Sequence, residues 1–149
     1  VKHVGSGNGK SLVLTSYDSQ GEVAQKYANA KANIAEVTKA GARVMHGVDA
    51  TKLLRHFPKQ RFDRIVFNFP HSGEQRVHVN RALLFDFFES AKQCLKESGQ
   101  AHVTLKMRPP YSEWGVEERA REAGMRLVEV VHFDQKAFPG YRHQTTEKD

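Results

Sequence analysis

Apolar and polar positions along the chain switch between two periods from end to end. Val1–Val4 opens as a short apolar strand that runs into Gly5-Ser6-Gly7-Asn8. Leu12-Val13-Leu14-Thr15-Ser16-Tyr17 reads as a second strand and stops at Asp18. From Glu22 to Ala40, apolar residues fall three or four apart, at Val23, Tyr27, Ala30, Ile34 and Val37, which predicts a helix closed by Gly41. Arg43–Val48 is the next strand, followed by Asp49 and a short helix over Thr51–His56. Phe62–Phe69 reads as a fourth strand, and a polar loop leads from it to a helix over Asn80–Lys96, closed by Glu97-Ser98-Gly99. Ala101–Leu105 is a strand, Ser112–Ala123 a helix stopped by Gly124, and Leu127–Phe133 a last strand. From Gln135 on the chain reads as a polar tail, expected to be ordered only in part.

This alternation of strands and helices implies an α/β fold, a mostly parallel sheet with helices on both faces. The 149 residues fit one domain, residues 1–149, with no internal repeat and no low-complexity linker. The chain opens on Val1 rather than Met, so a start further upstream is expected. No apolar run approaches the roughly 20 residues of a membrane span. The single cysteine, Cys94, falls in a helical pattern as a small buried hydrophobe and fits a reducing intracellular compartment. One cysteine and eight scattered histidines show no metal-ligand spacing.

A net charge of +6 favours a polyanionic partner, nucleic acid first. Lys52, Arg55, Lys59, Arg61 and Arg64 cluster ahead of and within the fourth strand, and Lys106 and Arg108 follow the fifth. Aromatic residues at helical spacing, Phe85, Phe87 and Phe88, are expected in the core. Trp114, near a helix start, fits packing better than base stacking.

The most informative stretch is Phe62-Asp63-Arg64-Ile65-Val66-Phe67-Asn68-Phe69-Pro70-His71. Its apolar run halts at an amide, an aromatic ring, a proline and an imidazole, where open α/β sheets bind ligands. Pro70 fixes its own φ and turns Phe69 away from the helical region, so the loop is stiff. That set suits a planar group with a polar edge, such as a nucleobase. Gly5 and Gly7 after the first strand fit a turn that brings backbone close to a ligand, and Asp18 could take ribose hydroxyls. Gly5-x-x-x-Gly9-Lys10-Ser11 is one residue short of a phosphate-binding loop, and a strand follows where a helix must start. Between the first two strands there is no room for a crossover helix, which needs at least about 10–12 residues. A segment between Asn8 and Gly9 is therefore expected to be absent from this chain.

Glycine turn, acid after the second strand, acid after the third and Asn-aromatic-Pro after the fourth resemble the order found in S-adenosylmethionine-dependent methyltransferases. Taken singly, Asp49 also fits a helix N-cap and Asp18 a turn. Thr15-Ser16-Tyr17-Asp18-Ser19, Gly47-Val48-Asp49-Ala50-Thr51, Arg61 to His71 and His102-Val103-Thr104-Leu105-Lys106 are more specifically similar to the eukaryotic 25S ribosomal RNA (uridine-N3-)methyltransferase family. So are the helix Asn80–Phe88 and Pro139-Gly140-Tyr141. The departure is a Phe-Ser-containing helix, which follows the glycine turn in that family and is absent here.

The resemblance implies a Rossmann-like class I methyltransferase sandwich, S-adenosylmethionine as cofactor, ribosomal RNA as substrate and a nuclear or nucleolar location. A monomer is expected. It implies that Gly5, Gly7 and Asn8 cradle the methionine part, that Asp18 holds the ribose diol, and that Asp49 with Ala50 faces the adenine. Asn68 would border the cofactor and contact the uracil imide edge, with Phe69 and Pro70 against the base. His71 would be a candidate base for the N3 proton and Lys106 a stabiliser of charge on a uracil carbonyl. Lys52, Arg55 and Arg61 would meet the RNA backbone. Two other classes stay open: a nicotinamide-dependent reductase, which Asp18 allows, and a non-catalytic RNA-binding module with a degenerate cofactor site.

Overall fold

Val13-Leu14-Thr15 and Arg43-Val44-Met45 carry the branched and extended side chains a pleated ladder favours. They pair in parallel as β1 (Val13–Thr15) and β2 (Arg43–Met45), with Leu14 opposite Val44. The computed structural model describes residues 9–144, and the chain divides into two compact units, Val1–His56 and Phe57–Asp149. The expected strand Val1–Val4 and the turn residues Gly5, Gly7 and Asn8 lie outside the described residues. From Gly9 the chain makes one 3-10 turn, Gly9–Ser11, and passes into β1 with no helix between them.

The helix expected over Glu22–Ala40 is two helices, α1 (Gln20–Lys26) and α2 (Ala30–Lys39). A reciprocal capping box starts α1 early: the Ser19 N–H donates to Glu22 Oε2 at 2.7 Å and the Glu22 N–H to Ser19 Oγ at 3.3 Å. The break falls at Tyr27, whose backbone is extended and whose ring is exposed, so it adds nothing to the apolar stripe its spacing suggested. Gly41, at φ +94°, ends α2 in a Schellman motif, with Gly41 N–H on Thr38 O at 2.9 Å and Ala42 N–H on Val37 O at 3.0 Å. Gly9 sits directly on this helix end. A Cβ there would lie 2.2 Å from Ala40 O, so no larger residue fits.

In the second unit β3 (Phe62–Asn68) and β4 (Leu95–Thr104) pair in parallel, joined through α3 (Val77–Cys94). The core is the stripe Asn80, Leu84, Phe87, Phe88, Ala91 and Cys94 of α3, with Phe67 edge-on to Phe87 at 4.9 Å. Ile65 and Phe67 are half-buried whereas Val66 is 55% exposed, the alternation of a strand with one face covered. β4 starts at Leu95 rather than Ala101, because Gly99 lets the chain pass against Phe62, where a Cβ would lie 2.9 Å from Phe62 O. The helix expected over Ser112–Ala123 is split at Gly115 (φ +62°) into a 3-10 turn, Tyr111–Trp114, and α4 (Val116–Glu122). Trp114 is fully buried and packs, as its position suggested.

Two expectations are corrected. Residues 127–133 form no strand: the run alternates as a strand should but joins no ladder among the described residues, and Val130 and Val131 are 71% and 73% exposed. The fold is mixed α/β, but the described residues form two two-stranded parallel sheets rather than one continuous sheet. No helix of the described residues is long and apolar enough to cross a membrane.

Candidate functional site

In the first unit the loops after β1 and β2 are laced together beyond the ladder. Ser16 N–H donates to Met45 O at 3.1 Å, Val48 N–H to Ser16 O at 2.9 Å and Gly47 N–H to Asp18 O at 3.1 Å. Gly47 takes φ +68° to make that last bond, and Ser16 Oγ adds a second donor to Asp18 O at 2.8 Å. Asp18 and Asp49 thereby stand together just past the carboxyl ends of two parallel strands, the usual ligand position of α/β sheets.

The two carboxylates differ in their partners. Asp18 Oδ2 pairs with Lys26 Nζ at 2.9 Å, and its Oδ1 has no hydrogen bond among the described residues. Asp49 Oδ1 accepts from the Thr51 N–H at 2.8 Å and from Thr51 Oγ1 at 2.6 Å, while Lys52 Nζ stands 3.8 Å from Oδ2. Burial pushes the Asp49 carboxyl up, but the Thr51 hydroxyl and N–H, with the charges of Lys52 and Arg55, outweigh it and hold the carboxyl below its ordinary value. The stability this turn supplies is complete above the ordinary carboxylate value of 3.8 and is lost as pH falls through the lowered folded value. The gap in urea midpoint between the protein and its Asp49→Ala variant should therefore shrink on acidification below that value. A gap constant with pH would contradict the assignment.

Asp18 Oδ1, and Asp49 Oδ2 with only the more distant Lys52 beside it, suit a group presenting hydroxyl and amino donors. Adenosine has both, so the chemistry of these acceptors is compatible with S-adenosylmethionine. Ala50 follows Asp49, half-buried at the start of the Thr51 turn.

In the second unit β3 ends where expected. Asn68 Oδ1 accepts from Thr104 Oγ1 at 2.9 Å, and the amide NH2 of this exposed residue has no hydrogen bond among the described residues. Phe69 departs from the expected extended backbone and takes φ +51°, a left-handed conformation rare for an aromatic residue and found chiefly at functional sites. Its N–H reaches Thr104 O at 2.8 Å, and its ring meets Phe133 at 5.7 Å and His143 at 4.7 Å. Pro70 is fully buried and holds the turn.

His71 Nδ1 accepts from the Gly73 N–H at 2.9 Å, and its Nε2 is buried without a partner among the described residues. Its ring lies 5.7 Å from Trp114 and 6.4 Å from Tyr111, and Lys106 Nζ stands 5.0 Å over the Tyr111 ring. His71 and Lys106 thus meet around one aromatic cluster.

Sequence reasoning missed Asn80 as an organiser of this loop. Fully buried, it accepts from the Ser72 N–H at 3.0 Å and donates to Glu74 O at 2.7 Å and Arg76 O at 3.0 Å. The signal was present: a lone amide one turn before Leu84 on the apolar stripe.

The basic residues fall on both units. Lys52 and Arg55 belong to the first unit, Arg55 exposed at the end of the 3-10 turn Leu53–Arg55. Arg61, in the second, folds back onto Gln60 O at 2.8 Å. Among the described residues no group of three or more His, Cys, Asp or Glu is placed to hold a metal ion.

The chain is mixed α/β, with two acids past the strand ends of one unit and an Asn-Phe-Pro turn at a strand end of the other. The family described as rRNA (uridine-N3-)-methyltransferase, BMT5-like, matches residues 1–145, and the chain belongs to that family. An Arabidopsis thaliana protein named heavy metal-associated isoprenylated plant protein 41 is 36% identical over 147 residues, covering 93% of this chain and 28% of its own length. Another from Arabidopsis thaliana, uncharacterized protein At4g26485, is 33% identical over 146 residues, covering 91% of this chain and 70% of its own. The mouse ferredoxin-fold anticodon-binding domain-containing protein 1 homolog is 36% identical over 124 residues, 74% of this chain and 20% of its own. The chain thus spans only 28% and 20% of the length of two of these relatives. No solved structure matches it.

Proposed function

We propose that this chain is the S-adenosylmethionine-dependent methyltransferase domain of an enzyme acting on N3 of a uridine in ribosomal RNA. The family match over residues 1–145 carries the reading. The site chemistry supports it. Both observed strand pairs are parallel, and α3 joins β3 to β4, which favours a Rossmann-like sandwich. A nucleolar location and a monomer follow as part of the same proposal.

When bound, the cofactor supplies an electrophilic methyl group, so the protein's task is alignment. Asp18 and Asp49 hold the nucleoside. The amide NH2 of Asn68 donates to a uracil carbonyl and stabilises the charge it gains as N3 loses its proton. N3 lies on the pairing edge, so the target uridine is unpaired or flipped out. Lys52, Arg55 and Arg61 supply charge for the RNA backbone.

A reductase would give the Asn68 loop no role in hydride transfer, and a degenerate RNA-binding module would bind no cofactor. Calorimetry of the full protein with S-adenosylmethionine and with NADH separates the three. Asp18→Ala is expected to weaken S-adenosylmethionine binding by about 1–3 kcal/mol through lost hydrogen bonds to a charged group. Folding stability should move by less than about 1 kcal/mol, the usual worth of an exposed ion pair such as that with Lys26. Unaltered affinity in that variant would remove Asp18 from the site.

A further inference from the structure

We propose that His143, rather than His71, is the imidazole that takes the N3 proton of the acceptor uracil. The inference rests on the methyltransferase reading above. Two histidines stand near the Asn68 loop, and their hydrogen bonds differ in kind.

His71 Nδ1 is held by the Gly73 N–H, which can only donate. The neutral ring must therefore keep its proton on Nε2, and that atom is buried. A second proton would have to enter on Nδ1, setting two N–H groups against each other. His71 is built to fix the loop, not to exchange a proton.

His143 Nδ1 lies 2.8 Å from Tyr141 Oη. A hydroxyl both donates and accepts, so it satisfies the ring in either tautomer and in the charged form. Burial pushes the Tyr141 hydroxyl above its ordinary value and keeps it protonated. With Nδ1–H donated to Tyr141, the Nε2 lone pair of His143 is left to act, and Nε2 has no hydrogen bond among the described residues.

The position is the right one. His143 packs edge-on against Phe69, with ring centroids 4.7 Å apart at 69°. Phe69 follows Asn68 directly in sequence, so the ring that meets His143 belongs to the residue next to the Asn68 amide. The left-handed backbone at Phe69 turns that ring to the tail, where Phe133 stacks on Phe138 at 5.3 Å and meets Tyr141 at 5.5 Å. This gives the Pro139-Gly140-Tyr141 segment a role: it seats the base. Among the groups packed on His143, Tyr141 is the titratable one and Phe69 is neutral. Arg142, its exposed chain neighbour, is the charge beside it in sequence.

The step balances. Uracil N3 gives its proton to His143 Nε2, and its electron pair forms the bond to the methyl carbon. The methyl–sulfur bond breaks with its pair going to sulfur, and the imidazolium returns the proton to water.

The test compares pH profiles of kcat for the full protein, His143→Gln, Tyr141→Phe and His71→Asn on a ribosomal RNA fragment. It adds an NMR titration of labelled histidines without cofactor. His143→Gln should lower kcat about 10²–10⁴-fold near neutral pH, with recovery at high pH where the imide ionises unaided. It should also abolish the acid limb of the profile, and KM should change little. Tyr141→Phe should shift that limb, and His71→Asn should retain it whatever its rate. In the titration, His143 should take up a proton with the same midpoint as the limb. An active wild type whose acid limb survives His143→Gln, or whose limb follows His71, overturns this inference alone. A wild type that transfers no methyl group overturns the function, and the inference with it.

Discussion

Asn80→Ala is expected to lower folding stability by about 2–4 kcal/mol and to disorder the loop that carries His71. The amide makes three hydrogen bonds from a fully buried position, to the Ser72 N–H, Glu74 O and Arg76 O. Its removal leaves the Ser72 N–H without its acceptor and takes the shorter donor from Glu74 O and Arg76 O. Those carbonyls keep only contacts of 3.3 Å, to the Ser72 hydroxyl and the residue-80 N–H. An unmet group costs roughly 1–3 kcal/mol. Asn80→Asp should do no better. It keeps an acceptor for Ser72, but sets a carboxylate oxygen against two carbonyls in a buried site. Denaturant midpoints at constant m-value measure the effect. A loss under about 0.5 kcal/mol would mean that the loop holds itself.

Asn68→Ala is expected to cut kcat by about 10²–10³-fold with S-adenosylmethionine affinity unchanged. The Thr104 hydroxyl fixes the amide oxygen, so the NH2 group is held in place before substrate arrives. A donor prepositioned for charge that develops only during reaction acts on turnover and not on ground-state binding. Thr104→Val should show the same effect in weaker form, because the amide stays but is free to rotate. Equal losses in cofactor affinity and turnover would place Asn68 at the cofactor instead of the acceptor base.

Much of what these variants probe was readable from the chain. Ile65-Val66-Phe67 halting at Asn68 located β3 and its loop, and the stripe Leu84, Phe87, Phe88 and Ala91 located the core face of α3. Asp18 and Asp49 stand three and four residues beyond β1 and β2, each closing the extended run that the sequence pattern marked. Local pattern failed where partners far along the chain decide. Tyr27 has helical spacing but a solvent-facing ring, so one expected helix became two. Gly99 reads as a stop but allows a close approach to Phe62, so β4 began before it. Residues 127–133 alternate like a strand, yet a strand needs an edge to pair with. The packing of Phe133 and His143 on Phe69 joins segments some 64 to 74 positions apart, and no spacing rule encodes it. The partners that separate His71 from His143 belong equally to tertiary structure, since one imidazole looks like the other in a sequence.

Nucleoside mass spectrometry of ribosomal RNA incubated with the full protein and S-adenosylmethionine tests the central claim most directly. The account predicts new 3-methyluridine from an unpaired or extrudable uridine, lost in Asn68→Ala at matched cofactor occupancy. RNA whose nucleosides are unchanged, or a methyl group found on any base other than uracil, would contradict it.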